Sequence, residues 1–107
     1  MTPENVSAII DTVKGTVLPS ERIAMFNKAC AIDSHDTVVI EELSELIKAV
    51  SKINRCHNNE HLKSLMEEIA DVRIVIERIM RKYNIKEDDI DKLVVFKINR
   101  FIDQYGI

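Results

Sequence analysis

Glycine and proline are scarce in this 107-residue chain: Gly15, Gly106, Pro3 and Pro19 are all there are. That scarcity excludes the glycine-rich loops that cradle phosphates in P-loop and dinucleotide-binding folds. Any phosphate handled here must be met by metal ions and basic side chains. Tryptophan is absent, which leaves Phe26, Phe96, Phe101, Tyr83 and Tyr105 as the groups able to stack on a base. The two cysteines, Cys30 and Cys56, are far apart and form neither a disulfide framework nor a CxxC motif. A net charge of -3 lacks the basic stripe of a protein that coats nucleic acid. No apolar run approaches the length of a bilayer span, and the N-terminus has no signal-peptide pattern. These absences predict a cytoplasmic protein that engages neither nucleic acid nor membrane.

What is present reads as one helical domain over residues 1–107. Hydrophobic residues make up 46% and charged residues 31%, a globular balance with enough apolar sequence for a modest core. A chain this short gains stability by pairing, so an oligomer is expected. Thr2 and Pro3 suit the N-cap and first position of a helix that ends near Gly15. A second helix runs from Pro19 to about Ile32. Ser34 or Asp36 caps a long helix to about Ile53, and residues 55–60 form a loop in which Asn58 or Asn59 caps the next. That helix runs to about Tyr83 and is closed by Asn84, and Glu87, Asp88 and Asp89 open the last one. Apolar stripes support the long helices: Val39, Leu43, Leu46, Val50 and Ile53, then Leu62, Leu65, Ile69, Val72, Ile76, Ile79 and Tyr83. The expected fold is all-α, an antiparallel bundle of about four to five helices.

Two acidic pairs interrupt this pattern. Glu42 with Glu45, and Glu68 with Asp71, each have i,i+3 spacing and so share a helix face. Each acid precedes an apolar stripe residue and therefore borders the core seam. Their helical neighbours offer little relief, since only Glu45 has a cation in reach, Lys48. Acidic pairs of this kind usually lie on a solvated face, but two such pairs against the core stripe call for a compensating cation. A hard divalent ion such as Mg2+ takes oxygen ligands and keeps positions open for water and phosphate. Two antiparallel helices could bring the four carboxylates around one or two ions, with Glu41 and Glu67 as further ligands or supporting groups. A di-iron bundle would need Glu-x-x-His motifs, and none occurs.

The segment from Glu41 to Lys48 (EELSELIK), followed by Glu67 to Val72 (EEIADV), resembles the MazG-like all-α nucleoside triphosphate pyrophosphohydrolases. Their signature is EExxE, a variable gap and ExxD, and the resemblance spans about Val38 to Phe101. It implies Mg2+-dependent hydrolysis of a nucleoside triphosphate between the α- and β-phosphates, with Mn2+ a possible substitute. By motif position, Glu42, Glu45, Glu68 and Asp71 would be metal ligands, and Glu41 or Glu45 would orient or deprotonate the attacking water. Lys97 and Arg100 are similar to a basic C-terminal motif in relatives and would hold the triphosphate, with Lys48 a further candidate. The same resemblance implies a homodimer or homotetramer. Some relatives have an aromatic residue four positions after the ExxD aspartate, where this chain has Val75.

Two other readings follow from the same residues. The fold is shared by pyrophosphohydrolases that cleave phosphoribosyl-ATP in histidine synthesis, and a helical dimer or regulatory module without activity would use the acids only as surface. Cys56, His57 and His61 form a second cluster, with His57 and His61 at i,i+4. They lack the glutamate and third ligand of a helical zinc site and read as solvated loop residues.

Overall fold

A computed structural model describes residues 4–12, 19–29 and 37–106. Five helices fill these segments: α1 (Glu4–Thr12), α2 (Pro19–Ala29), α3 (Thr37–Arg55), α4 (Asn59–Lys82) and α5 (Glu87–Tyr105). No strand occurs among the described residues, so the all-α expectation holds. The proposed ends near Gly15 and Ile32, and the caps at Thr2, Ser34 and Asp36, lie outside the described residues.

The α3–α4 hairpin is the centre of the fold. Its connection is shorter than the sequence pattern suggested, only residues 56–58, which forces the two helices antiparallel. Asn58 begins α4 from an extended backbone, and its side-chain oxygen accepts from the His61 backbone N–H at 2.7 Å. This cap satisfies one of the amides that a helix start leaves unpaired. At the other end, the Ile85 N–H donates to the Met80 carbonyl at 2.8 Å and the Asn84 N–H to the Arg81 carbonyl at 3.3 Å. Together these two bonds form a Schellman closure, which places its C′ residue in the left-handed region. Asn84 occupies that position at φ 54°, a conformation that asparagine tolerates better than most residues.

The side chains that meet inside the hairpin are only part of the apolar stripes. Val39 and Ala49 of α3 and Val72 and Val75 of α4 are buried, and Leu46, Ile53, Leu65 and Ile79 are half-buried. Leu43, Ile47 and Val50 are exposed, as are Leu62, Ile69 and Ile76. At 100° per residue both exposed sets are rotated from the seam in the same sense. In antiparallel helices that rotation brings them to one face of the hairpin. The other face carries α1 and α2, both of which pack on α4. Val6 of α1 is buried there. Asn27 of α2 is only 1% exposed. Its amide donates to the Ile74 carbonyl at 3.2 Å, and its oxygen accepts from Arg78 Nε at 3.3 Å. Arg78 also lies over the Phe26 ring, 5.8 Å from its centre.

Helix α5 is amphipathic, yet it has no buried residue and no extensive contact with another described helix. Val94, Ile98, Phe101 and Tyr105 lie exposed along one side of it. The chain exposes 8526 Å², against about 6,100 Å² for a compact monomer of this mass.

Candidate metal centre

The α3–α4 seam brings carboxylates from both helices together. Glu42 projects from α3, and Glu68 and Asp71 from α4, one helical turn apart. One oxygen of each lies within 4.8 Å of the others, and all three side chains are half-buried. It is the one group of three or more potential metal-ligating residues among the described residues. The cause is local: Glu42 falls on the same strip of α3 as Leu46 and Ala49, and Glu68 on the strip of α4 that carries Val72 and Val75. Acids therefore sit where the helical period calls for core residues.

The electrostatics of the trio are unfavourable as it stands. Burial, then the carboxylates of Asp71, Glu45 and Glu41, raise the pKa of Glu42 above its ordinary value, and a hydrogen bond to Asp71 adds to the rise. Burial, then Asp71, Glu42, Glu45 and Glu67, raise that of Glu68. Glu68 Oε2 is shut off from solvent and has no hydrogen-bond partner among the described residues. An orphaned buried oxygen forfeits its hydration without replacement. Converging oxygens, mutual repulsion and an unsatisfied acceptor together form a donor set of the type a hard divalent cation binds. The residues present fit such an ion.

The other residues singled out in the sequence take different positions. Glu45 is exposed and turned to Lys48, whose Nζ lies 3.4 Å from Glu45 Oε1. It stands beside the trio rather than in it, near enough for its charge to act on Glu42 and Glu68. Glu41 is exposed on α3, and Glu67 is half-buried on α4. Lys97 and Arg100 are exposed on α5, with Arg100 over the Phe96 ring at 5.9 Å, and the fold of one chain leaves their helix unpacked against the hairpin. Cys56 and His57 are exposed. The His61 Nδ1 lies 2.6 Å from the Cys56 carbonyl oxygen, where its N–H donates, which ties the ring to the turn.

The site also borders a cavity that the sequence pattern does not reveal. Beside Asp71, on the face that carries α1, lies a cavity of about 260 Å³ lined by Val6, Ile9, Ile10, Met66, Glu67, Ala70 and Asp71. Its only signal in the sequence is the pairing of apolar residues in α1 with Met66 and Ala70, and periodicity does not tell which helices meet. No protein-family model, no curated protein and no solved structure matches the chain. The site therefore stands on its own geometry.

Proposed function

We propose that this protein is a Mg2+-dependent nucleoside triphosphate pyrophosphohydrolase that works as a homo-oligomer. The observation that carries the reading is the meeting of Glu42, Glu68 and Asp71, one oxygen of each within 4.8 Å of the others, with Glu68 Oε2 buried and without a partner among the described residues. Glu42, Glu68 and Asp71 would hold the ion. A divalent ion held there supplies Lewis-acid stabilisation of the charge that develops on phosphate oxygens. Glu45 and Glu41, outside the trio, are the carboxylates left to hold a water and accept its proton as its oxygen joins phosphorus. The bond between the α- and β-phosphates then breaks, giving nucleoside monophosphate and pyrophosphate. Mn2+ is the expected substitute for Mg2+.

Self-association is supported by the apolar face of the α3–α4 hairpin and by α5, neither of which is covered by another described helix. Assembly is also the route by which Lys97 and Arg100 of one copy would approach the phosphates at a site of another.

The test is pyrophosphate release from a panel of NTPs and dNTPs, with Mg2+ and with EDTA, for wild type and Glu68→Gln. Release should require the metal and should fall by about 10²-fold or more in the variant, the loss expected when charge stabilisation worth several kcal/mol is removed. Absence of release from every nucleotide, with release from phosphoribosyl-ATP, would move the reading to the related hydrolase of histidine synthesis. Absence from both would leave a helical module without activity.

A further inference from the structure

Arg78 is half-buried, whereas the chain's other five arginines are exposed. It lies seven residues after Asp71 on α4, so the two share one strip of the helix to within about 20°. Their separation along the axis is two turns, about 10.5 Å. Two contacts from α2 hold the side chain. Its Nε donates to Asn27 Oδ1 at 3.3 Å, and its guanidinium lies over the Phe26 ring, 5.8 Å from the centre. Asn27 is only 1% exposed and also donates to the Ile74 carbonyl, in the turn of α4 nearer the trio. The Arg78 side chain therefore runs back along α4 toward the trio, the direction in which helical side chains tilt. Both anchors are neutral. No carboxylate pairs with Arg78 among the described residues, and its two terminal nitrogens make no hydrogen bond there.

We propose that Arg78 receives the terminal phosphate of the substrate and so sets a preference for three phosphates over two. The inference rests on the proposed function and adds the residue that measures the length of the phosphate chain. Phosphates held at the trio leave the end of a triphosphate free to extend along α4, and the guanidinium stands in that direction. A half-buried cation without a counter-charge is costly, and a phosphate offsets that cost. The bond to Asn27 takes Nε and leaves the edge formed by the two terminal nitrogens, which matches a pair of phosphate oxygens. Because Asn27 and Phe26 fix this fork beforehand, little side-chain freedom is lost on binding. A diphosphate seated at the trio ends short of Arg78, so the contact separates the two ligands. Arg78 is thus a phosphate-binding cation within one chain, independent of Lys97 and Arg100 on α5.

The experiment compares non-hydrolysable α,β-methylene analogues of the four common dNTPs with the matching diphosphates, by calorimetry in saturating Mg2+. Wild type should bind the triphosphates about tenfold or more tightly, the margin of one charge-assisted bidentate contact. Arg78→Gln should cut that margin to under about threefold and leave diphosphate affinity unchanged. Arg78→Lys, which keeps the stem and the charge without the fork, is the gentler variant and should fall between the two. Asn27→Leu keeps the arginine but frees it, and should lower the margin by about threefold. Unchanged diphosphate binding in each variant also reports an intact metal centre. Equal affinity of wild type for both analogues, a full margin in Arg78→Gln, or equal losses for both analogues in that variant would overturn the inference and leave the metal centre standing. Failure of wild type to bind either analogue would overturn the proposed function and this inference with it.

Discussion

Glu68 presents one carboxylate oxygen to a pocket of like charge, and its consequences can be separated by pH and by metal. Because the folded state raises the pKa of Glu68 and of Glu42, it binds more protons than the unfolded chain between the ordinary and the raised values. Their contribution to stability is full below the ordinary carboxylate pKa and is lost as pH rises through the raised one. In EDTA at neutral pH, Glu68→Gln should melt at the same temperature as wild type or higher, and the gap should close on acidification. Adding Mg2+ should stabilise wild type by about 2.7 kcal/mol at a hundred times its dissociation constant and do little for the variant. A Glu68→Gln protein that is less stable than wild type in EDTA would show that the acid is structural.

At the scale of the helix, α4 is specified at both ends. Asn58→Ala should cost about 1 kcal/mol by removing the side-chain acceptor for the His61 amide, a fall of about 4–8 °C in melting temperature for a domain of this size. Asn84→Gly should keep or slightly raise stability, because glycine takes the left-handed backbone without a Cβ penalty. Scanning calorimetry on both variants checks the pair. These ends were legible in the sequence because capping is local chemistry within a few residues. So was the pairing of acids, because i,i+3 spacing fixes a shared face whatever the helix packs on. The orientation of the seam was not legible. Periodicity shows that Leu43 and Val50 belong to an apolar stripe, but not that Ala49 and Glu42 would face α4 while they stay exposed. A stripe wide enough for two neighbours does not say which neighbour is in the same chain. The turn of Glu45 toward Lys48 and the meeting of α1 with Met66 and Ala70 also depend on tertiary packing.

For the whole molecule, the uncovered face of the hairpin is the largest unmet requirement. Ile47 is 70% exposed at the middle of that face. Sedimentation should show wild type as a multiple of the 12.3 kDa chain, and Ile47→Glu should shift it toward the single chain and lower its thermal stability. A monodisperse monomer for wild type would contradict assembly. The three-residue connection between α3 and α4 carries a kinetic consequence. All three carboxylates lie on one hairpin closed by a three-residue turn, from which α3 and α4 can zip together with little loop entropy to overcome before the other helices join them. The ion's ligands would then come together before the chain has finished collapsing. Stabilisation by Mg2+ should consequently appear mainly as faster refolding, with the unfolding rate little changed, a partition that stopped-flow measurements at several Mg2+ concentrations would read directly.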